Sequence, residues 1–230
     1  MRVLRGRAGT IEADRAVTDH LVERAVERGE SALRVWTPHP QVAFGRRDAT
    51  AAGYDRAREL AREAGYPPVE RSVGGRAVAY TGSTVALVHA DPAAERTAIE
   101  ARYDRATDRL RTAFDRLGVD ASEGEPAGAF CPGTHSLRAA GKVAGLAQRV
   151  RKEVAVVGGV VVVRDHEAIA DVLEPVYAAL DVPFDRDAVG SVARAGGDGG
   201  PEAVCRAIES AFGSEDASVE QVSETEEPSG

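Results

Sequence analysis

The chain reads as an α+β domain, a mixed or antiparallel sheet flanked by helices. Three observations predict it. Several segments carry apolar residues at helical spacing, and short β-branched runs stand between them. The runs between residues 136 and 163 follow one another across tight turns, the habit of an antiparallel sheet rather than of strict strand–helix alternation. At 230 residues and 43% apolar content, the chain can bury one sizeable core.

The elements follow in order. Over residues 11–28, Ala13, Val17, Leu21 and Ala25 form one helical face that Ala16 and Val22 widen, and Gly29 is placed to cap it. Residues 32–37 and 41–44 are two short strands divided by Pro38-His39-Pro40. Residues 51–64 form a second helix, stopped by Gly65 and Pro67-Pro68. Residues 69–71 and 77–80 are strands on either side of a glycine bend at Gly74-Gly75, and residues 84–89 another strand. Ile99, Tyr103, Ala106, Leu110, Ala113 and Leu117 mark a long helix ended by Gly118. A short strand over 119–121 and a loop over 123–129 follow. Residues 136–139, 142–148 and 154–163 are successive strands turning at Ala140-Gly141 and Arg151-Lys152. Ile169, Val172, Leu173, Val176 and Leu180 give a further amphipathic helix, and residues 201–212 a last one after the glycine link at 196–200. No internal repeat is visible.

Charge narrows the function classes. The net charge is −8, but residues 214–230 hold six acids and no base, leaving about −2 for the rest. The expectation is one domain over residues 1–213 and an acidic disordered tail over 214–230. A near-neutral body without a lysine-rich patch does not fit a nucleic-acid protein. No run reaches the roughly 18–20 apolar residues of a membrane span, and the first ten residues lack a signal-peptide core. Two distant cysteines make no disulfide framework, so a reduced, cytoplasmic setting is expected. His20, His39, His89 and His166 show no metal-ligand spacing and are expected to be surface or packing residues.

Three features carry chemistry. Arg71-Ser-Val-Gly-Gly-Arg-Ala-Val78 pairs two glycines, which let backbone N–H groups approach a carbonyl or an anion; an ordinary tight turn needs no more. Lys142, between Gly141 and Gly145, is one of only two lysines against 27 arginines. A turn lysine is usually just an exposed charge, but the scarcity favours a place that arginine cannot fill. Cys131 follows a turn-rich loop and precedes Pro132-Gly133, outside any regular core element. Its thiol is a candidate nucleophile with Lys142 as the nearby charge and His135 as a candidate base. Cys205, among Val204, Ile208 and Phe212, reads as structural.

Together these pieces resemble the lipoate/octanoate protein ligase and transferase family, which shares its catalytic fold with biotin protein ligases. Leu33-Arg-Val-Trp36 and Pro40-Gln-Val-Ala-Phe-Gly45 look like its first strand pair, the Arg71 motif like its lipoyl-pocket loop, and Gly141-Lys-Val-Ala-Gly-Leu-Ala-Gln148 like its lysine motif. Ligases of the family usually have Asn-Asp where this chain has Cys131-Pro-Gly-Thr-His-Ser, which is similar to octanoyl amidotransferases that carry the acyl group on a cysteine. Arg76, Tyr80 and Ser136 depart from the family pattern.

The resemblance implies an acyltransferase with Cys131 and Lys142 as catalytic residues. Arg71, Gly74, Gly75, Arg76, Ala77, Gly133, His135 and Gly145 would bind substrate. Octanoate or lipoate would be the acyl group. Lipoyl-carrier domains, such as the glycine-cleavage H protein and 2-oxoacid dehydrogenase E2 domains, would be the partners. No cofactor is required on that route. The alternatives are an ATP- and Mg-dependent lipoate ligase without its accessory domain, or a non-catalytic binder of lipoyl domains or acyl acids.

Overall fold

The computed structural model describes residues 1–71, 74–92, 99–150, 153–214 and 216–222. The chain opens with strand β1 (Arg2–Arg5), helix α1 (Ile11–Arg28), β2 (Ala32–Trp36) and β3 (Gln41–Phe44). Helix α2 (Tyr54–Glu63), β4 (Pro68–Glu70), β5 (Val78–Tyr80) and β6 (Val85–Asp91) follow. Helix α3 (Ile99–Arg116), β7 (Ser122–Glu123), β8 (Ser136–Ala139), β9 (Gly141–Val150) and β10 (Ala155–Val161) come next. Helix α4 (His166–Ala179), helix α5 (Pro201–Phe212) and β11 (Ser218–Gln221) close the chain.

Two sheets form among the described residues. The larger is mixed, in the order β11-β1-β2-β6-β10-β9-β8-β7, and the smaller runs β4-β3-β5. Alternation along β2 divides the larger sheet's faces. Leu33 and Val35 join the core that Leu110, Phe114, Ile208 and Phe212 of α3 and α5 complete. Ala32 instead packs with Leu21, Val22 and Ala25 of α1. Arg34, fully buried, also reaches α1, where its guanidinium pairs with Asp14 and donates to Thr18 Oγ1 at 2.6 Å. A third cluster joins the smaller sheet to α2 and α4 through Phe44, Val78, Ile169, Leu173 and Tyr177.

Helix α1 spans the expected residues, with Thr10 accepting the Ala13 N–H at 3.1 Å and Gly29 closing it at φ 61°. The strands on either side of the glycine bend are β4 and β5. Strands β4 and β5 do not pair with each other; both flank β3, β4 parallel and β5 antiparallel. Gly75 lies against the end of β3, where a side chain on Gly45 would come within 2.2 Å of the Gly75 carbonyl oxygen. Residues 119–121 precede β7 rather than forming a strand. The expected Arg151-Lys152 turn lies outside the described residues.

The acidic tail is also different from expectation. Ser218–Gln221 pairs in parallel with β1, register Arg2 to Ser218 through Arg5 to Gln221. Backbone bonds from Ser218 N to Met1 O (3.1 Å) and from Val222 N to Arg5 O (2.7 Å) frame it. Residues 223–230 lie outside the described residues. Every residue of β11 is exposed, so the strand adds hydrogen bonds but little burial. Such bonds net roughly 1 kcal/mol each, opposed by the entropy of ordering the strand. Ending the chain at Gly213 is therefore expected to lower the thermal midpoint by about 2–4 °C, the effect of about 1 kcal/mol in a domain this long. A midpoint unchanged by calorimetry would show that this pairing contributes nothing.

Candidate active site

The site forms where the loop between β7 and β8 meets the smaller sheet, α4 and β9. Its centre is Cys131, held at φ 42° in the left-handed region that side chains rarely adopt. Such a backbone persists only where its surroundings over-determine it. Here three contacts do so. The Cys131 N–H donates to Tyr177 Oη at 2.6 Å, and that hydroxyl donates onward to the Ala77 carbonyl at 2.9 Å. The Cys131 carbonyl accepts from Lys142 Nζ at 2.9 Å. The thiol accepts from Arg71 Nη2 at 3.2 Å.

Lys142 is 2% exposed, an unusual place for a lysine unless it is paired. Its ammonium meets Glu125 at 3.0 and 3.2 Å and donates to the Phe130 carbonyl at 3.0 Å as well as to that of Cys131. Three donors thus serve one carboxylate and two carbonyls. The space comes from Gly145, where an added side-chain carbon would stand 3.3 Å from Lys142 Cε. The expectation that this lysine supplies the charge beside the thiol is not what the geometry gives. Lys142 bonds the backbone of Cys131, and Arg71 bonds its sulfur.

Glu125 gathers the loop together. Besides Lys142 it accepts from Ser136 Oγ and from the Gly133 N–H at 3.3 Å. So Ser136, one of the three departures noted in the sequence, engages the carboxylate of Glu125. Arg71 Nη2 also donates to the Arg76 carbonyl at 2.5 Å, tying the glycine loop to the thiol. Gly75, at φ 95°, permits this approach: a side-chain carbon there would lie 2.8 Å from Cys131 Sγ and 3.0 Å from Arg71 Nη2. Gly74 has open space around it. Arg76 donates to Asp48 Oδ1 at 3.3 Å and to the Arg47 carbonyl at 3.4 Å. Asp48 is fully buried and also accepts the Gly45 N–H at 2.9 Å, so this pair braces the mouth of the loop.

Electrostatics follow from this packing. Burial would lower the Arg71 guanidinium, but the Cys131 thiol and Tyr80 reverse that and hold it above its ordinary value. Burial raises the phenols of Tyr80 and Tyr177. Cys205, remote from this cluster, has its thiol pushed up to about 12 by burial and by Glu209, in keeping with a packing role.

Of the residues singled out in the sequence, Cys131, Arg71, Gly75, Arg76, Ala77, Gly133, Lys142 and Gly145 belong to this one connected cluster. His135 is turned to another partner: its ring stacks on Tyr103 with centroids 3.4 Å apart. No hydrogen bond joins it to Cys131 among the described residues. Sequence reasoning missed Tyr177 and Glu125. A tyrosine on the apolar face of α4 was the available signal, since a buried hydroxyl needs a partner. Two open surface clefts, of about 390 and 600 Å³, are lined by charged residues such as Arg138, His166 and Arg194, and Cys131 lines neither.

Comparison with known proteins agrees with this architecture. The Lipoyl protein ligase A/B catalytic domain family matches residues 11–213, and the chain belongs to that family. An octanoyl-GcvH:protein N-octanoyltransferase of Exiguobacterium sp. is 30% identical over 164 residues, 70% of this chain and 58% of the relative. The chain therefore spans somewhat over half the length of that curated relative. A lipoate-protein ligase A solved with ATP shares the fold at a TM-score of 0.76 and 20% identity, covering 97% of this chain and 89% of that one. A bi-partite lipoate protein ligase described with its E2 lipoyl domain, from Thermoplasma acidophilum, superposes at 0.69 with 17% identity, over 97% and 87% of the chains.

The contacts of Lys142 generate a stability prediction. Lys142→Arg should cost about 1–3 kcal/mol, because the guanidinium overfills a pocket built for an ammonium. Lys142→Met should cost about 3 kcal/mol or more, since it leaves Glu125 and two carbonyls without their donor. Urea unfolding measures both, and a midpoint unchanged in the Met variant would show that the ammonium does not hold the loop.

Proposed function

We propose that the protein is an acyltransferase that carries an octanoyl or lipoyl group as a thioester on Cys131 and passes it to a lysine of a lipoyl-carrier domain. The observation that carries this reading is the state of Cys131 itself: a thiol bonded to a guanidinium, on a strained backbone fixed at both its N–H and its carbonyl. An inert cysteine needs none of these. A nucleophile needs all of them, because attack depends on orientation held before the substrate arrives.

The reaction has two balanced steps. The Cys131 thiolate attacks the carbonyl carbon of an acyl thioester, the C–S bond to the donor breaks, and the donor leaves as a thiol after taking a proton. The ε-amine of the acceptor lysine then attacks the Cys131 thioester. Its C–S bond breaks, an amide forms, and the amine's proton returns to the sulfur. Each step passes through an oxyanion that needs aligned donors. The Gly133 N–H and the Lys142 ammonium converge on a single carboxylate, Glu125, so they form a donor set suited to an anion. Suitable carriers are the glycine-cleavage H protein as donor and E2 lipoyl domains as acceptors; the Exiguobacterium relative is named for GcvH.

The ATP-dependent alternative would ask Lys142 to contact both an acyl carbonyl and a phosphate. That route leaves Cys131 idle, whereas here its thiol accepts from Arg71 Nη2 at 3.2 Å, which favours the thioester route.

Incubation with an octanoyl-thioester carrier should add one octanoyl mass to the protein without ATP, and Cys131→Ser should abolish both the adduct and transfer. Cys205→Ser should retain them. Full transfer by the Cys131→Ser variant, or transfer only when ATP and free lipoate are supplied, would replace this reading with the ligase.

A further inference from the structure

We infer that Arg71 is the counter-ion of the nucleophile: its guanidinium compensates the thiolate that Cys131 forms before attack. The inference rests on the reading of Cys131 given above.

The starting point is an imbalance of charge. Arg71 is half-buried in the site, and its Nε is buried without a partner. A guanidinium drawn this far from water ordinarily has a carboxylate beside it. Arg34 has Asp14, and Arg2 has Glu220 at 3.5 Å. Among the described residues, no carboxylate lies within ion-pair distance of Arg71. What it touches instead is the Cys131 sulfur, at 3.2 Å, and the Arg76 carbonyl. The other ionisable groups at the thiol come from every element packed around it. Tyr80 of β5 and Tyr177 of α4 are phenols that burial keeps neutral. Lys142 of β9 is matched by Glu125 and addresses the Cys131 carbonyl. The thiol is thus the group left to balance Arg71, and Arg71 the cation left to balance the thiol.

The loop geometry fits this pairing. The same Nη2 that meets the sulfur holds the Arg76 carbonyl, so the guanidinium is aimed by the glycine loop. Gly75 presses against both groups, and only the absence of its side chain lets them meet. A contact merely bracing the loop would need the carbonyl bond alone.

The test measures thiol reactivity separately from acyl transfer. In a Cys205→Ser background, which leaves one thiol, alkylation of Cys131 by iodoacetamide is followed by intact mass from about pH 6 to about pH 10. Only the thiolate reacts. Arg71→Gln should slow alkylation about tenfold near neutral pH. At the alkaline end, where the thiolate forms without help, its rate should converge on the parent rate. Arg71→Lys should fall between. If the Gln variant lacks a cooperative melt, Arg71→Met, which keeps the aliphatic volume, takes its place with the same expectations. A rate ratio that is constant across pH would assign Arg71 to access or packing, and superimposed profiles would give it no part; either overturns the inference. Failure of the Cys131 reading looks different, as an alkylation profile that responds to Arg71 while no acyl adduct ever forms.

Discussion

The buried ammonium of Lys142 is the interaction on which the site depends. A charge with 2% of its surface exposed must find its full set of acceptors inside the protein, and it does so by drawing three pieces of chain to one point. The Glu125 carboxylate comes from the start of the loop, the Phe130 and Cys131 carbonyls from its end, and Lys142 itself from a strand beneath. The loop between β7 and β8 has little regular structure of its own. Its shape is set by what this cation requires, and the left-handed backbone of Cys131 is one consequence of bringing two successive carbonyls to the same nitrogen.

A second constraint is steric and works from the opposite side. Gly45 presses on Gly75, and Gly75 and the Arg71 guanidinium lie against the thiol. Tyr177 joins the two constraints, since its hydroxyl bonds the Cys131 N–H on one side and Ala77, beside the glycine loop, on the other. The smaller sheet and the loop that carries Cys131 are therefore coupled through these hydrogen bonds as well as through the apolar cluster that Phe130 and Cys131 share with Val78 and Tyr177. Geometry at the sulfur should respond to changes in either.

Much of the fold was legible because it depends on local periodicity. The apolar spacings of α1, α3 and α5 marked real helices, and the runs around Val143 and Val157 marked real strands. What escaped was non-local. Strand β1 has four residues with arginine at both ends, and β11 is polar and wholly exposed, so neither carries a readable pattern. The site was legible in its membership and less so in its wiring. Proximity in sequence placed Lys142 and His135 near Cys131 and suggested that they act on its thiol. In the fold, Lys142 takes the backbone carbonyl and His135 stacks on Tyr103. The group that does reach the sulfur is 60 residues away in the chain. Sequence spacing has no access to such a contact, because it arises only when the smaller sheet brings Arg71 against the loop between β7 and β8.

The choice of cation at each place follows from the same geometry, and it accounts for the lysine that drew attention first. At Lys142 the acceptors converge from several directions on a small volume bounded by Gly145. An ammonium suits that arrangement, as a compact charge with three rotatable donors. At position 71 the acceptors, a large sulfur and one carbonyl, lie on one side of a loop that must be braced across its width. A single guanidinium nitrogen, Nη2, donates to both. A chain that uses arginine nearly everywhere would lose little by using it on its surface. It keeps one of its two lysines, Lys142, where an interior pocket admits a point charge and not a fork, so the scarcity of lysine elsewhere is what makes that requirement visible in the sequence.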